Sequence, residues 1–271
     1  MKILAQPGKI SKYRLNALFG CIALLLLAPN LPCSGQTLPR AIVLDFTLVS
    51  RNIHLTTAST GADAVAVELV QQNLAEVISR KELDKAAKEL GIRAPFSVND
   101  YGKLSKELDA KWIVTGRVEF VNLKAEDGHR GVELGLIVKV IDPGTGDNLN
   151  GGMARAFSPE AADGSETQGI IEMKAVTAAA RRAVFQMKSY SPIEGVILSS
   201  PSNGPLVLNR GSGSGVKLHQ EFNIMRGGRM VAKARATKIS GGYTDLLVTE
   251  NIAGIQSGDH AISIFPEQKF K

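Results

Sequence analysis

Two apolar-alternating runs, close together in the chain, constrain this sequence more than anything else in it. The first is Ala110-Lys-Trp-Ile-Val-Thr-Gly-Arg-Val-Glu-Phe-Val121. Trp112, Val114, Val118 and Phe120 share one parity, with Gly116 leaving a gap, while Ile113, Arg117 and Glu119 share the other. In the second run, Val132 to Asp142, Leu134, Leu136, Val138 and Val140 alternate with Glu133, Gly135, Ile137 and Lys139. Side chains on a strand point to opposite faces in turn, so each run predicts a strand with a buried face and a wetter one. The stretch between them, Asn122 to Gly131, is polar and ends in glycine, which predicts a long hairpin loop. The two runs then form the central antiparallel pair of a sheet, with Trp112 buried between that sheet and a helix.

The amino-terminal 35 residues read as an export address. Lys2, Lys9, Lys12 and Arg14 precede an apolar core from Leu15 to Ala28, followed by Pro29, Pro32 and the small residues Cys33-Ser-Gly35. This is the layout of a signal peptide, with cleavage expected after Gly35. The apolar run is about 14 residues, short of the ~20 that span a bilayer as a helix. Leu18-Phe-Gly-Cys21 has the look of a lipid-attachment box, but the apolar core runs on past Cys21, and Cys33 follows a proline. Lipidation at either cysteine is therefore not expected.

The same segment reshapes the charge argument. The formal charge is +6, and the four basic residues of positions 1–35, with no acid among them, leave +2 for the remainder. A near-neutral exported chain with 5% aromatic residues is not expected to bind nucleic acid. Both cysteines also fall in positions 1–35, so the mature chain has no disulfide to lean on and must stand on its hydrophobic core.

From residue 36 onward the chain divides by period. Arg40 to Phe46 is a short apolar run suited to a buried strand, and Arg51 to Gly61 is a Thr/Ser-rich loop. A helix is expected from Ala62 to about Val77, with Val67, Val70, Leu74 and Val77 inward. Ser79-Arg-Lys-Glu82 is a capping box that starts a second helix, with Leu83, Ala86, Ala87 and Leu90 inward and Gly91 ending it. Asn99 or Ser97 caps a third helix, with Tyr101, Leu104 and Leu108 inward. Asp142-Pro-Gly-Thr-Gly-Asp147 is a turn before a further strand, Gly151 to Phe157. A capping box at Ser165-Glu-Thr-Gln168 opens the longest helix, with Ile170, Met173, Thr177, Ala180, Val184 and Met187 on one stripe. Its Ala178–Ala180 triplet would let it lie close to the sheet.

After Pro192 short strand-like runs alternate with glycines: 195–198, 206–208, 222–225, 230–239, 244–249 and 260–265. That spacing predicts a small β-barrel or sandwich. The expected fold is therefore α/β (α+β), a mixed sheet flanked by helices over residues 36–188, then a linker at 189–193 and a small all-β, barrel-like domain over 194–271.

The order Val43-Leu-Asp-Phe46, Leu74-Ala-Glu-Val, Ser79-Arg-Lys-Glu-Leu, Leu108-Asp-Ala-Lys-Trp-Ile-Val-Thr-Gly and Val140-Ile-Asp-Pro-Gly-Thr-Gly-Asp resembles a known domain. It is the one shared by the curli-secretion lipoprotein CsgG, the TolB amino-terminal domain and the outer-membrane activators of penicillin-binding proteins. Gly195-Val-Ile, Val207 to Val216, Phe222 to Gly228 and Gly254 to Asp259 are similar to the carboxy-terminal domain of flagellar assembly protein T (FlgT). That family also carries a TolB-like middle domain. Its usual first domain has no counterpart in this sequence, and the strand usual between the first two helices is squeezed to about Val77-Ile78. The resemblance implies a periplasmic or outer-membrane-associated, non-catalytic component of an envelope machine, such as a ring around the flagellar motor.

The residues themselves offer little catalytic chemistry. Gly211-Ser-Gly-Ser-Gly215 has the glycines of a phosphate loop, but a strand-like run follows where such a loop needs a helix. Asp142 and Asp147 lack the rest of a calcium loop. His54, His129, His219 and His260 have no second ligand at metal spacing. No cofactor, metal or catalytic residue is therefore expected. The interaction candidates are Arg226 and Arg229, flanking a Gly-Gly turn, and Lys81, Lys85 and Lys88, a basic stripe opposite the apolar face of the second helix. The leading expectation is a non-enzymatic envelope protein, a structural, assembly or adaptor component of a flagellar-motor-ring-like or secretion-associated complex. Its expected partners are envelope proteins or further copies of itself, along with cell-wall or outer-membrane components. The alternative is a secreted small-ligand-binding protein or a hydrolase with an unrecognised site.

Overall fold

The computed structural model describes residues 37–49, 55–126, 129–161, 165–200 and 204–270. The expected signal peptide with Cys21 and Cys33 lies outside the described residues, as does His54.

Three parallel strands begin the sheet. β1 (Arg40–Val43) lies between β3 (Glu76–Val77) and β4 (Trp112–Glu126), and β2 (Thr47–Leu48) pairs in parallel with β4 further along. Two antiparallel strands, β5 (His129–Ile141) and β6 (Asn148–Pro159), complete the order β3-β1-β4-β5-β6. The predicted central pair is β4 and β5. Their pairing continues to Glu126↔His129, so the expected loop over 122–131 is mostly strand. Over 122–126 the residues are paired but exposed without alternation, with Leu123 76% exposed.

Helices cover both faces. On one, α1 (Leu55–Gln71) and α4 (Gln168–Ser189) bury Ala41, Val43, Val114, Val118, Leu136 and Val138. On the other, α2 (Arg80–Glu89) and α3 (Val98–Leu108) bury Ile42, Leu44 and Ile113. Ile113 is thus fully buried rather than on a wetter face, because the second helical pair covers that end of the sheet. Trp112 is only half-buried, at the edge of the first core. A bulge between Val118 and Phe120 also resets the parity: Val118 pairs with Leu136 and Phe120 with Gly135, so Phe120 faces the opposite side from Val118.

The helices start, stop and turn differently from the sequence expectation in three places. α1 begins at Leu55, inside the expected loop, and ends at Gln71 rather than near Val77. Asn73 adopts φ 53°, its N–H bonds to the Val70 carbonyl and that of Leu74 to the Leu69 carbonyl. This is a left-handed helix stop of the Schellman type, with asparagine where glycine is commoner. The inward face of α1 is Ala58, Ala62, Val65 and Leu69, while Val67 and Val70 are each 52% exposed. Small residues allow close approach on part of this face, where a β-carbon on Gly61 would lie 3.3 Å from the Phe46 ring, and Val65 and Leu69 fill the rest of it. In α4 the expected Ala180, Val184 and Met187 are buried, but Ile170, Met173 and Thr177 are exposed and Ile171, Ala175, Val176, Ala179 and Ala183 turn inward with them. The expected capping box at Ser165 does not form. Thr167 is the N-cap and makes no side-chain cap bond.

The other caps are those the sequence predicts. Ser79 with Glu82, and Ser97 with Asp100, form reciprocal capping boxes. Gly91, at φ 67°, ends α2 with Gly91 N–H to Lys88 and Ile92 N–H to Ala87 bonds.

Beyond α4 six strands close a barrel: β7 (Glu194–Ser199), β8 (Leu206–Leu208), β9 (Glu221–Arg226), β10 (Arg229–Ile239), β11 (Thr244–Asn251) and β12 (His260–Ser263). Their order is β10-β11-β8-β7-β12-β9, with β9 closing on β10. Closure leaves no free strand edge, and Ile197, Leu208, Phe222, Ile224 and Leu246 fill the interior.

Sheet and barrel are in direct contact, within one compact unit, Leu38–Lys271. Asp147, at the end of the β5–β6 turn, accepts hydrogen bonds from Lys233 Nζ at 2.6 Å and Asn223 Nδ2 at 3.0 Å in the barrel. Tyr190, in the expected linker, packs edge-on against Phe265, with ring centroids 4.7 Å apart. The chain after β12 then crosses the face of the sheet that α2 and α3 leave uncovered. Glu267 lies 3.4 Å from Lys139 and 3.9 Å from Arg117, and Phe270 meets Phe120 and Arg155.

Candidate functional site

The topology produces a crevice before any side chain is considered. The helix after β1 lies on one face of the sheet and the helix after β3 on the other, so the chain departs in opposite directions from neighbouring parallel strands. A cleft opens at their carboxyl ends, the usual place for a site in an open α/β sheet. In this protein it has a volume of about 820 Å³. Its walls are the segment after β1, one side of α2 and the turn into α3.

Arg80, the first residue of α2, lines the cleft with its side chain about half exposed. Its Nη1 donates to Asp45 Oδ1 at 2.6 Å, and Nε and Nη2 donate to Asp63 Oδ1 at 3.0 and 2.9 Å. The hydrogen bond with Asp45, aided by Asp63, raises Arg80 further above its ordinary pKa against the opposing effect of burial. The arginine thus ties the segment after β1 to α1 and α2. The Ser79 capping box holds this helix start in place, and the Ser79 hydroxyl and amide bonds hold the Glu82 carboxyl below its usual range. Further out the walls are apolar and aromatic: Leu83, Ala87, Ile92, Phe96 and Tyr101. Burial pushes the Tyr101 phenol up. Lys88 and Arg93 stand exposed on the rim.

Of the sequence candidates, only Lys88 borders this crevice. Lys81 and Lys85 are exposed on the same helix, with Lys85 3.9 Å from Glu89. The structure places Arg226 and Arg229 far along the chain at the barrel's β9–β10 turn, where Gly227 and Gly228 have φ 56° and 77°. Both glycines are required by this tight hairpin. The two arginines part company there. Arg229 is exposed, whereas Arg226 forms a two-pronged pair with Asp259, at 2.7 Å for each bond, and also donates to the Gly254 carbonyl. Asp259 is 4% exposed, and the Arg226 guanidinium holds its carboxyl below the usual range. Arg226 is therefore committed to the barrel, and Arg229 alone faces outward at that tip.

Sequence reasoning passed over Arg80, Arg93, Phe96 and Tyr101. The one usable signal was the Ser79 capping box, which fixes where α2 starts and so where Arg80 stands. β3 has two residues, too few to show a strand pattern. Gly211–Gly215 forms a short 3-10 turn at Ser212–Ser214, and strand β9 follows it. A β-carbon on Gly211 would lie 2.2 Å from the Ser240 carbonyl, so its first glycine serves close backbone packing. Among the described residues no group of three His, Cys, Asp or Glu could hold a metal ion. None of the described helices is long and apolar enough to cross a membrane.

No family model matches the sequence, and no curated protein matches it. Among solved structures, the LpoB carboxy-terminal domain from Salmonella enterica is 12% identical, over 45% of this chain and 85% of that one, with a TM-score of 0.34. The PelC dodecamer from Paraburkholderia phytofirmans is 13% identical over 54% and 86%, with a TM-score of 0.33. Lipoprotein GNA1162 from Neisseria meningitidis is 13% identical over 56% and 99%, with a TM-score of 0.38. Similarities this loose do not carry a function from one chain to the other.

Proposed function

We propose that this protein is an exported, non-enzymatic envelope component that works by binding other proteins, as an assembly or adaptor element of a cell-envelope complex. The observation that carries the reading is the way the two folded parts are joined. The chain after β12 returns across the sheet and places Glu267 between Lys139 and Arg117, while Asp147 reaches into the barrel. This fastens two differently shaped binding surfaces into one body. The expected signal peptide supplies the address. The resemblance to CsgG- and TolB-type domains, followed by a FlgT-like barrel, supplies the kind of machine, a secretion-associated or flagellar-motor-ring-like assembly. The outer helical layer also leaves Val67, Val70, Ile170, Met173 and Phe185 exposed.

The test is affinity purification of the tagged protein from envelope fractions, with light scattering on the purified chain. Expected are specific co-purifying envelope proteins, or a discrete oligomer. A monodisperse monomer that retains no envelope protein after cross-linking would sink the proposal.

A further inference from the structure

We propose that the crevice at the carboxyl ends of β1 and β3 receives an extended segment of a partner protein, one whose apolar side chains are flanked by acidic residues. This deepens the adaptor reading and rests on it.

The apolar half of the argument comes from the walls. Ile92, Phe96 and Tyr101 line the cleft only half-buried, packed on one side against the core that holds Leu83 and Ala87. Their inner sides are packed, and their remaining aromatic and aliphatic surface is left along the cleft. Side chains from a partner would remove that surface from water, at about 25 cal/mol per Å². The shape argues for a chain segment over a free small molecule. Asp45, Asp84, Lys88, Gly91, Arg93 and Pro95 along its rim are all exposed. A cleft open along its length does not enclose the large share of a small ligand's surface that such ligands bury. It does suit a segment that passes through.

Charge selects which segment. Arg80 is outnumbered by Asp45 and Asp63, so its end of the cleft is net negative and the free positive charge lies elsewhere. Lys88 and Arg93 stand on the rim with no ion pair to any described residue, with Asp84 beside them and Asp45 committed to Arg80. Acidic residues beside the apolar anchors would meet these cations, which speeds encounter and fixes register.

The experiment pans random twelve-residue peptides displayed on phage against the purified protein. Enriched sequences are then synthesised and titrated by fluorescence anisotropy. Expected are peptides that pair apolar residues with neighbouring aspartate or glutamate. Their affinity should fall about tenfold or more in Lys88→Glu/Arg93→Glu, and also in about 0.5 M salt, where screening is strong. Both substituted residues are exposed, so an unchanged melting temperature should accompany the loss. The proposal is overturned by no enrichment, by peptides without acidic bias, or by equal binding to the double variant. It is also overturned if the protein alone forms a dimer that this variant abolishes, for the occupant is then a second copy. Co-purification of envelope proteins that persists in the double variant would leave the adaptor reading standing while this site falls.

Discussion

At Gly152 in β6 a β-carbon would lie 2.0 Å from the Ala183 carbonyl oxygen of α4. That contact is to backbone, which has no rotamer to turn away, so the glycine sets how closely α4 approaches the sheet. Ala175, Ala179 and Ala183 on the facing side of the helix are all fully buried and continue the close fit. Gly152→Ala is therefore expected to cost about 1–3 kcal/mol through overpacking, read as a lower urea midpoint. Gly169, in the first turn of α4, has nothing within 4 Å of where a β-carbon would stand. Gly169→Ala should instead stabilise slightly, by up to about 1 kcal/mol, because alanine gives up less chain freedom in a helix. Equal effects of the two substitutions would mean that α4 does not touch β6 at this point.

At the scale of elements, β6 is a twelve-residue strand at the edge of the sheet, the sort of edge that recruits foreign strands. α4 guards it with side chains. The Met153 N–H donates to Gln186 Oε1 at 3.0 Å, and Arg182 Nη1 donates to the Arg155 carbonyl at 2.7 Å. Both backbone groups point away from β5 and are satisfied by the helix that packs beside them. Arg182→Ala/Gln186→Ala should leave the fold in place, lower stability by about 1–2 kcal/mol, and raise self-association with protein concentration. Light scattering across a dilution series checks it, and an unchanged monomer fraction would show that the edge is protected by something else. β3 makes the opposite edge safe simply by being two residues long.

For the whole molecule, the segment after Phe265 decides whether sheet and barrel behave as one body. Glu267 draws on Lys139 first, with Lys269 assisting, and its carboxyl is held below the usual range. Phe270 packs edge-on against Phe120 at 5.4 Å, and Arg155 lies over both rings. Deleting residues 266–271 should leave each part folded on its own core while loosening the join. The expected signs are a second calorimetric transition and faster protease cleavage between Ser189 and Ile193. A single unchanged transition would mean that the Asp147 bonds to Lys233 and Asn223 suffice without the tail.

Local rules wrote much of this structure into the sequence. Period two marked β4 and β5, because one face of each has to be apolar. Ser79, Ser97 and Gly91 marked helix ends, because a helix cannot satisfy its own terminal amides and carbonyls. The glycine-spaced runs after Pro192 marked all six barrel strands. Tertiary structure alone decided what depends on a neighbour distant in the chain. Which stripe of α1 and α4 turns inward was settled by the sheet they pack on, which buries Ala62, Val65, Ala183 and Val184 and leaves Val67 and Met173 exposed. The bulge after Val118 moved Phe120 to the other face, where Phe270 waits 150 residues later in the sequence. The crevice belongs to this second class. Asp45, Arg80, Arg93 and Tyr101 have no pattern along the chain, and only the opposite departures from β1 and β3 bring them to one cleft.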